Sequence, residues 1–83
     1  MSDMNLKRAL WATTALNAFE TETGTDTPED TISDLICDIG HFCDAKGLDF
    51  LQLVVVAVGN WKLEQDDPES MGTPPDVEIR VGA

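Results

Sequence analysis

Sixteen Asp and Glu residues against five Lys and Arg give this 83-residue chain a formal net charge of -11, a field that repels DNA, RNA and anionic lipid surfaces and attracts basic proteins. Apolar residues make up 42 % of the chain, too many for a wholly disordered acidic tail, and so short a chain makes one domain at most. The longest apolar run, Leu53 to Val58, falls far below the ~20 residues that span a membrane; with no secretory pattern near Met1, the expected location is cytoplasmic.

The first predicted helix runs from about Asn5 to Glu22, with Asp3 as its cap and Gly24 as its stop. Leu6, Ala9, Leu10, Leu16 and Phe19 give it a broad apolar face, widened by Trp11 and Ala15. Lys7 and Arg8 sit in its first turn, where the helix dipole disfavours them.

After a polar linker, Thr27-Pro28-Glu29-Asp30 is the clearest local signal. Thr27 can cap, Pro28 fits the first helical position, and Glu29 and Asp30 set negative charge against the helix N-terminus. The second helix is expected from Pro28 to about Lys46, ending at Gly47. Ile32, Leu35, Ile36, Ile39, Phe42 and Cys43 recur at helical spacing as one apolar stripe.

Asp49 can cap a third helix, from Phe50 to about Gln65. Phe50, Leu53, Val54, Ala57, Val58 and Trp61 follow the i, i+3, i+4, i+7 rule, while Leu51, Val55, Val56 and Leu63 fall off that stripe. A helix apolar on most sides is central in its domain or buries a second face against another chain. The rival reading is a hairpin: Leu53 to Val58 is rich in β-branched residues, and Gly59-Asn60 could turn it into Trp61-Lys62-Leu63.

The fold class that follows is all-α: a small three-helix domain over residues 1–65 with a flexible acidic C-terminal tail over 66–83. That tail holds all but one of the prolines. Within it, Asp76 to Val81 alternates polar and apolar as a strand would. A folding part of roughly 60 residues is a size at which a dimer or a bound partner often helps.

On a helical projection, Asp30, Asp34, Cys37, Asp38, His41 and Asp44 lie opposite the apolar stripe of the second helix. Glu20, Glu22, Asp26 and Glu29 precede this face and Asp49 follows it; Lys46 is the only basic residue between Arg8 and Lys62. The functional reading is an acidic docking surface made by Asp30, Asp34, Asp38 and Asp44, flanked by Glu20, Glu22, Asp49 and Glu64. The plain alternative is a solvated face that keeps the protein soluble.

Asp34, Cys37, Asp38 and His41 have spacing at which helix neighbours can share a cation. One helix rarely completes a tetrahedral shell, and His41 is the only histidine, so neither a metal nor another cofactor is expected. Cys37 and His41, one turn apart, form the one candidate nucleophile pair, set among carboxylates that oppose a further negative charge. The two cysteines, Cys37 and Cys43, are expected as thiols: on one helix they are separated by about 9 Å of rise, too far for a disulfide. With no phosphate-binding loop either, the expectation is a protein that is not an enzyme.

The stretch from Asp34 to Gln65, DLICDIGHFCDAKGLDFLQLVVVAVGNWKLEQ, resembles a segment of small proteins carried by bacterial phages, plasmids and gene-transfer elements. The likeness lies in a D-L-x-x-D-I-x-H helix, a glycine break and an L-D-F opening to the next helix. In size, charge and helical content the chain is similar to anti-CRISPR inhibitors. Resemblance to inhibitors of type I systems implies action in the host cell on a basic, nucleic-acid-binding partner, the type I CRISPR surveillance complex, by carboxylates standing where phosphates would sit. The alternative is a homo-oligomeric accessory or regulatory protein of a mobile element, a homodimer through the apolar third helix, with no mimicry of nucleic acid.

Overall fold

A computed structural model describes residues 3–70 and 72–82 of the chain as three α-helices: α1 (Asp3–Thr23), α2 (Pro28–Lys46) and α3 (Phe50–Asp66). The fold class is all-α, as expected. The hairpin reading of residues 53–63 is overturned, since that whole stretch lies inside α3. Valine costs a helix only a few tenths of a kcal/mol relative to the better helix formers, and the start of α3 is fixed locally. The Asp49 side chain accepts a hydrogen bond from the Gln52 backbone N–H at 3.1 Å.

The caps of α2 follow the sequence closely. Thr27 is extended, and its hydroxyl accepts from the Asp30 N–H at 3.2 Å. Pro28 begins the helix, and Glu29 and Asp30 fill its first turn. At the far end Gly47 takes the left-handed conformation (φ 70°). Its N–H donates to the Asp44 carbonyl at 3.4 Å and the Leu48 N–H to the Cys43 carbonyl at 2.9 Å. This paired closure requires a positive φ and so favours glycine. Gly24 ends α1 in a similar way, its N–H donating to the Glu20 carbonyl at 2.8 Å. Asp3, expected as a cap, instead lies in the first turn of α1, where its charge suits the dipole.

α2 is the middle element and packs against both α1 and α3. Its seam with α1 is closed by a polar knot around Thr31, whose relative exposure is 0 %. The Thr31 hydroxyl oxygen lies 2.9 Å from Thr25 Oγ1, 2.9 Å from the Thr27 carbonyl and 3.4 Å from a Glu20 carboxylate oxygen. Its seam with α3 depends on Gly40. A Cβ there would meet two Phe50 ring carbons at 3.3 Å, so the missing side chain admits the aromatic ring.

α1 and α3 are joined by polar ties at one end. Arg8 pairs with Glu64 at 3.3 Å and donates to Asn5 Oδ1 at 2.8 Å and the Pro68 carbonyl at 3.1 Å. Asn5 Nδ2 donates to the Glu64 carbonyl at 2.9 Å. The position of Arg8 near the unfavourable end of the dipole is thereby explained: it serves contacts about sixty residues away in sequence. Lys7, beside it, is exposed.

The apolar stripes do not close into a core. Cys43, at 2 %, is the one buried hydrophobic side chain among the described residues, while Trp11, Ile36, Ile39, Phe42, Leu53 and Trp61 are exposed. The Cα radius of gyration is 14.4 Å, against roughly 12 Å for a compact domain of this length. The helices form an open frame.

The tail has no helix or strand among its described residues after Asp66. The alternation from Asp76 to Val81 survives only in part: Val77 and Ile79 are half-buried and their neighbours exposed, with no ladder formed. Pro74, Pro75 and Val77 sit over Gly59, where an added Cβ would lie 3.3 Å from Pro74 Cβ and 3.4 Å from the Pro75 carbonyl oxygen. A glycine inside α3 is therefore matched to a close approach by the chain's own tail.

Candidate functional site: an acidic helix face backed by an apolar groove

The well-capped α2 presents two opposed surfaces. Asp30, Asp34, Asp38 and Asp44 are all exposed. By the helical repeat they fall within about one third of the circumference, and from Asp30 to Asp44 the axis rises about 21 Å. None of the four makes an ion pair; the pairs among the described residues are Arg8–Glu64 and Arg80–Glu78. Lys46, the nearest cation in sequence, stands over the Phe42 ring at 5.9 Å from its centroid.

The flanking acids divide into two groups. Glu22 is exposed, whereas three others have tasks inside the molecule. Glu20 lies against the Thr31 hydroxyl, Asp49 caps α3, and Glu64 pairs with Arg8. The structure thus gathers the α2 aspartates into one surface, bears out the Asp49 cap, and gives Glu20 and Glu64 structural contacts that sequence spacing did not reveal. The tie through Asn5 and Arg8 has no local signature, because its partners are nearly the whole helical region apart.

The opposite side of α2 faces a groove of about 400 Å³ lined by Ile36 and Ile39 of α2 and by Phe50, Leu53, Val54, Ala57, Val58 and Trp61 of α3. The α3 contribution is the helical stripe read from the sequence. No polar or charged side chain lines it. Trp61, the last residue of that stripe, is 59 % exposed and is not a core residue in the single chain. It also borders a second cleft of about 670 Å³, with Asn5, Arg8, Ala9, Glu64, Gln65 and Pro68. The polar groups of that cleft are largely taken up by the ties between α1 and α3.

Cys37 is exposed and Cys43 buried, both as free thiols. Cys43 acts as a small core hydrophobe. Among the described residues no group of three or more His, Cys, Asp or Glu side chains could hold a metal ion, so the helical spacing of Asp34, Cys37, Asp38 and His41 does not bring their donor atoms to a common point. No helix among the described residues is long and apolar enough to cross a membrane.

No family model, no curated protein and no solved structure matches this chain.

Proposed function

We propose that this protein is a small acidic, non-enzymatic inhibitor that binds a basic nucleic-acid-binding protein and blocks its access to DNA. The observation that carries the reading is the row of four exposed, unpaired aspartates along one side of α2. Consecutive carboxylates from Asp30 to Asp38 are separated by about 6 Å of rise. One DNA strand advances about 3.4 Å per phosphate, so this row matches roughly every second phosphate of a strand. A Lys- and Arg-lined DNA channel offers the complementary array. Such matching chiefly accelerates association and fixes orientation, because each exposed pair alone contributes little.

The resemblance to anti-CRISPR inhibitors selects the first partner to test, a type I surveillance complex. Its binding to target DNA is measured with and without the protein, at low and high salt. The expected result is loss of DNA binding at low salt, relieved as salt rises. Asp34→Lys combined with Asp38→Lys should weaken the inhibition at least about 10-fold, with the helical circular dichroism unchanged. Equal inhibition by that variant, with the same salt dependence, removes this face from the mechanism.

A further inference from the structure

We infer that the apolar groove between α2 and α3 is closed by the same groove of a second copy of this chain, in a two-fold dimer. This goes beyond the inhibitor reading and is independent of it. Surface area carries the inference. A compact monomer of this mass exposes roughly 4,900 Å², whereas this chain exposes 6554 Å². The excess is about 1,700 Å² per copy, or about 3,400 Å² for a pair, within the range of obligate homodimer interfaces. The extended tail accounts for part of it. On the groove itself, Ile36 is 48 %, Ile39 43 %, Leu53 50 % and Trp61 59 % exposed, apolar surface of the kind that such an interface covers.

The chemistry of the groove selects its occupant. Its lining from Ile36 to Trp61 is entirely apolar, so nothing in it attracts the basic partner that the acidic face would recruit. The chain's own tail is seated elsewhere, over Gly59. A two-fold arrangement asks only that the surface complement itself, and a charge-free groove meets its copy without burying a carboxylate. The row Asp30, Asp34, Asp38 and Asp44 lies on the far side of α2, about a helix diameter away. That distance is comparable to the screening length at physiological salt. Repulsion between the two acidic copies is therefore damped as salt rises while the apolar contact remains. Self-association strengthens with salt, opposite in sign to the binding of a basic partner.

Sedimentation equilibrium of the full chain, from about 1 to about 100 µM at low and high salt, tests this. The expected mass is about 18 kDa, twice the 9.0 kDa chain, with tighter association at high salt. Ala57→Glu, at an exposed groove position, should weaken the dimer about 100-fold or more; Ser33→Glu, exposed and outside the groove, should leave it intact. A second readout on the folded protein covers the case in which Ala57→Glu fails to fold. In a Trp11→Phe background, Trp61 emission should shift to the blue and resist iodide quenching as the chain is concentrated. A mass of one chain throughout overturns the inference, as does a higher oligomer. So does a dimer whose Trp61 stays open to quencher.

Discussion

The two seams of α2 are built from different chemistry. Toward α1 the contact is sealed by Thr31, fully buried and surrounded by Thr25, the Thr27 carbonyl and Glu20. Toward α3 it is made by the Phe50 ring against Gly40, with an apolar groove left open alongside. A polar knot is directional: its hydrogen bonds are satisfied at one geometry, and no further surface is needed to complete it. An apolar seam is non-directional and gains from any further apolar cover. The first seam is therefore complete within the chain, whereas the second leaves apolar surface uncovered alongside it.

Enlarging Gly40 is the strongest way to break this asymmetry. A Cβ at that position already stands 3.3 Å from two Phe50 ring carbons, so Gly40→Leu must displace the ring and widen the seam. The expected cost is about 3 kcal/mol, at the upper end for overpacking. Because Phe50 also lines the groove, association should weaken in parallel. Urea denaturation followed by circular dichroism checks stability, at one fixed protein concentration because the midpoint of an associating chain depends on it. An unchanged midpoint would mean that the seam is looser than the Gly40–Phe50 approach implies.

The polar seam should respond to Thr31→Ala by about 2 kcal/mol, combining lost hydrogen bonding with a small cavity. The distinguishing result is that association through the groove stays intact at concentrations where the variant is folded. Loss of stability and of self-association together would show the two seams to be one cooperative unit.

These seams also explain what could be read in the sequence. The caps at Thr27, Gly47 and Asp49 were legible because each is decided within a few residues by backbone geometry and one side-chain bond. The apolar stripes of α2 and α3 were legible as stripes, since periodicity follows from the helix itself. What covers them was not, because a stripe looks the same whether its cover is another helix of the chain or a second molecule. The Arg8 tie was hidden for a related reason: its partners Glu64 and Pro68 are close only after folding. Thr31 gave no signal at all, since a threonine inside a polar-looking first turn reads as surface. On the candidate site, the aspartates of α2 were found by spacing alone, whereas Glu20 and Glu64 looked equivalent to them until the fold gave each a partner.

The smallest effect is expected at Gly59, where the chain covers its own apolar surface. Gly59→Ala gains helix propensity of up to about 1 kcal/mol. Against this, the new Cβ meets Pro74 Cβ at 3.3 Å and the Pro75 carbonyl oxygen at 3.4 Å. The side of Pro74 can retreat with the tail, because residues 72–82 belong to no helix or strand. The two terms should nearly cancel in global stability, within about 0.5 kcal/mol. Their separation is visible in limited proteolysis: a displaced tail is cut faster after Arg80 while the helical region stays resistant. Faster cleavage with an unchanged denaturation midpoint would identify the tail as a cover laid over α3 and separable from the helical frame. An unchanged cleavage rate with a raised midpoint would mean that the tail accommodates the methyl group in place. A lowered midpoint would instead make Pro74, Pro75 and Val77 part of the core that the three helices lack by themselves.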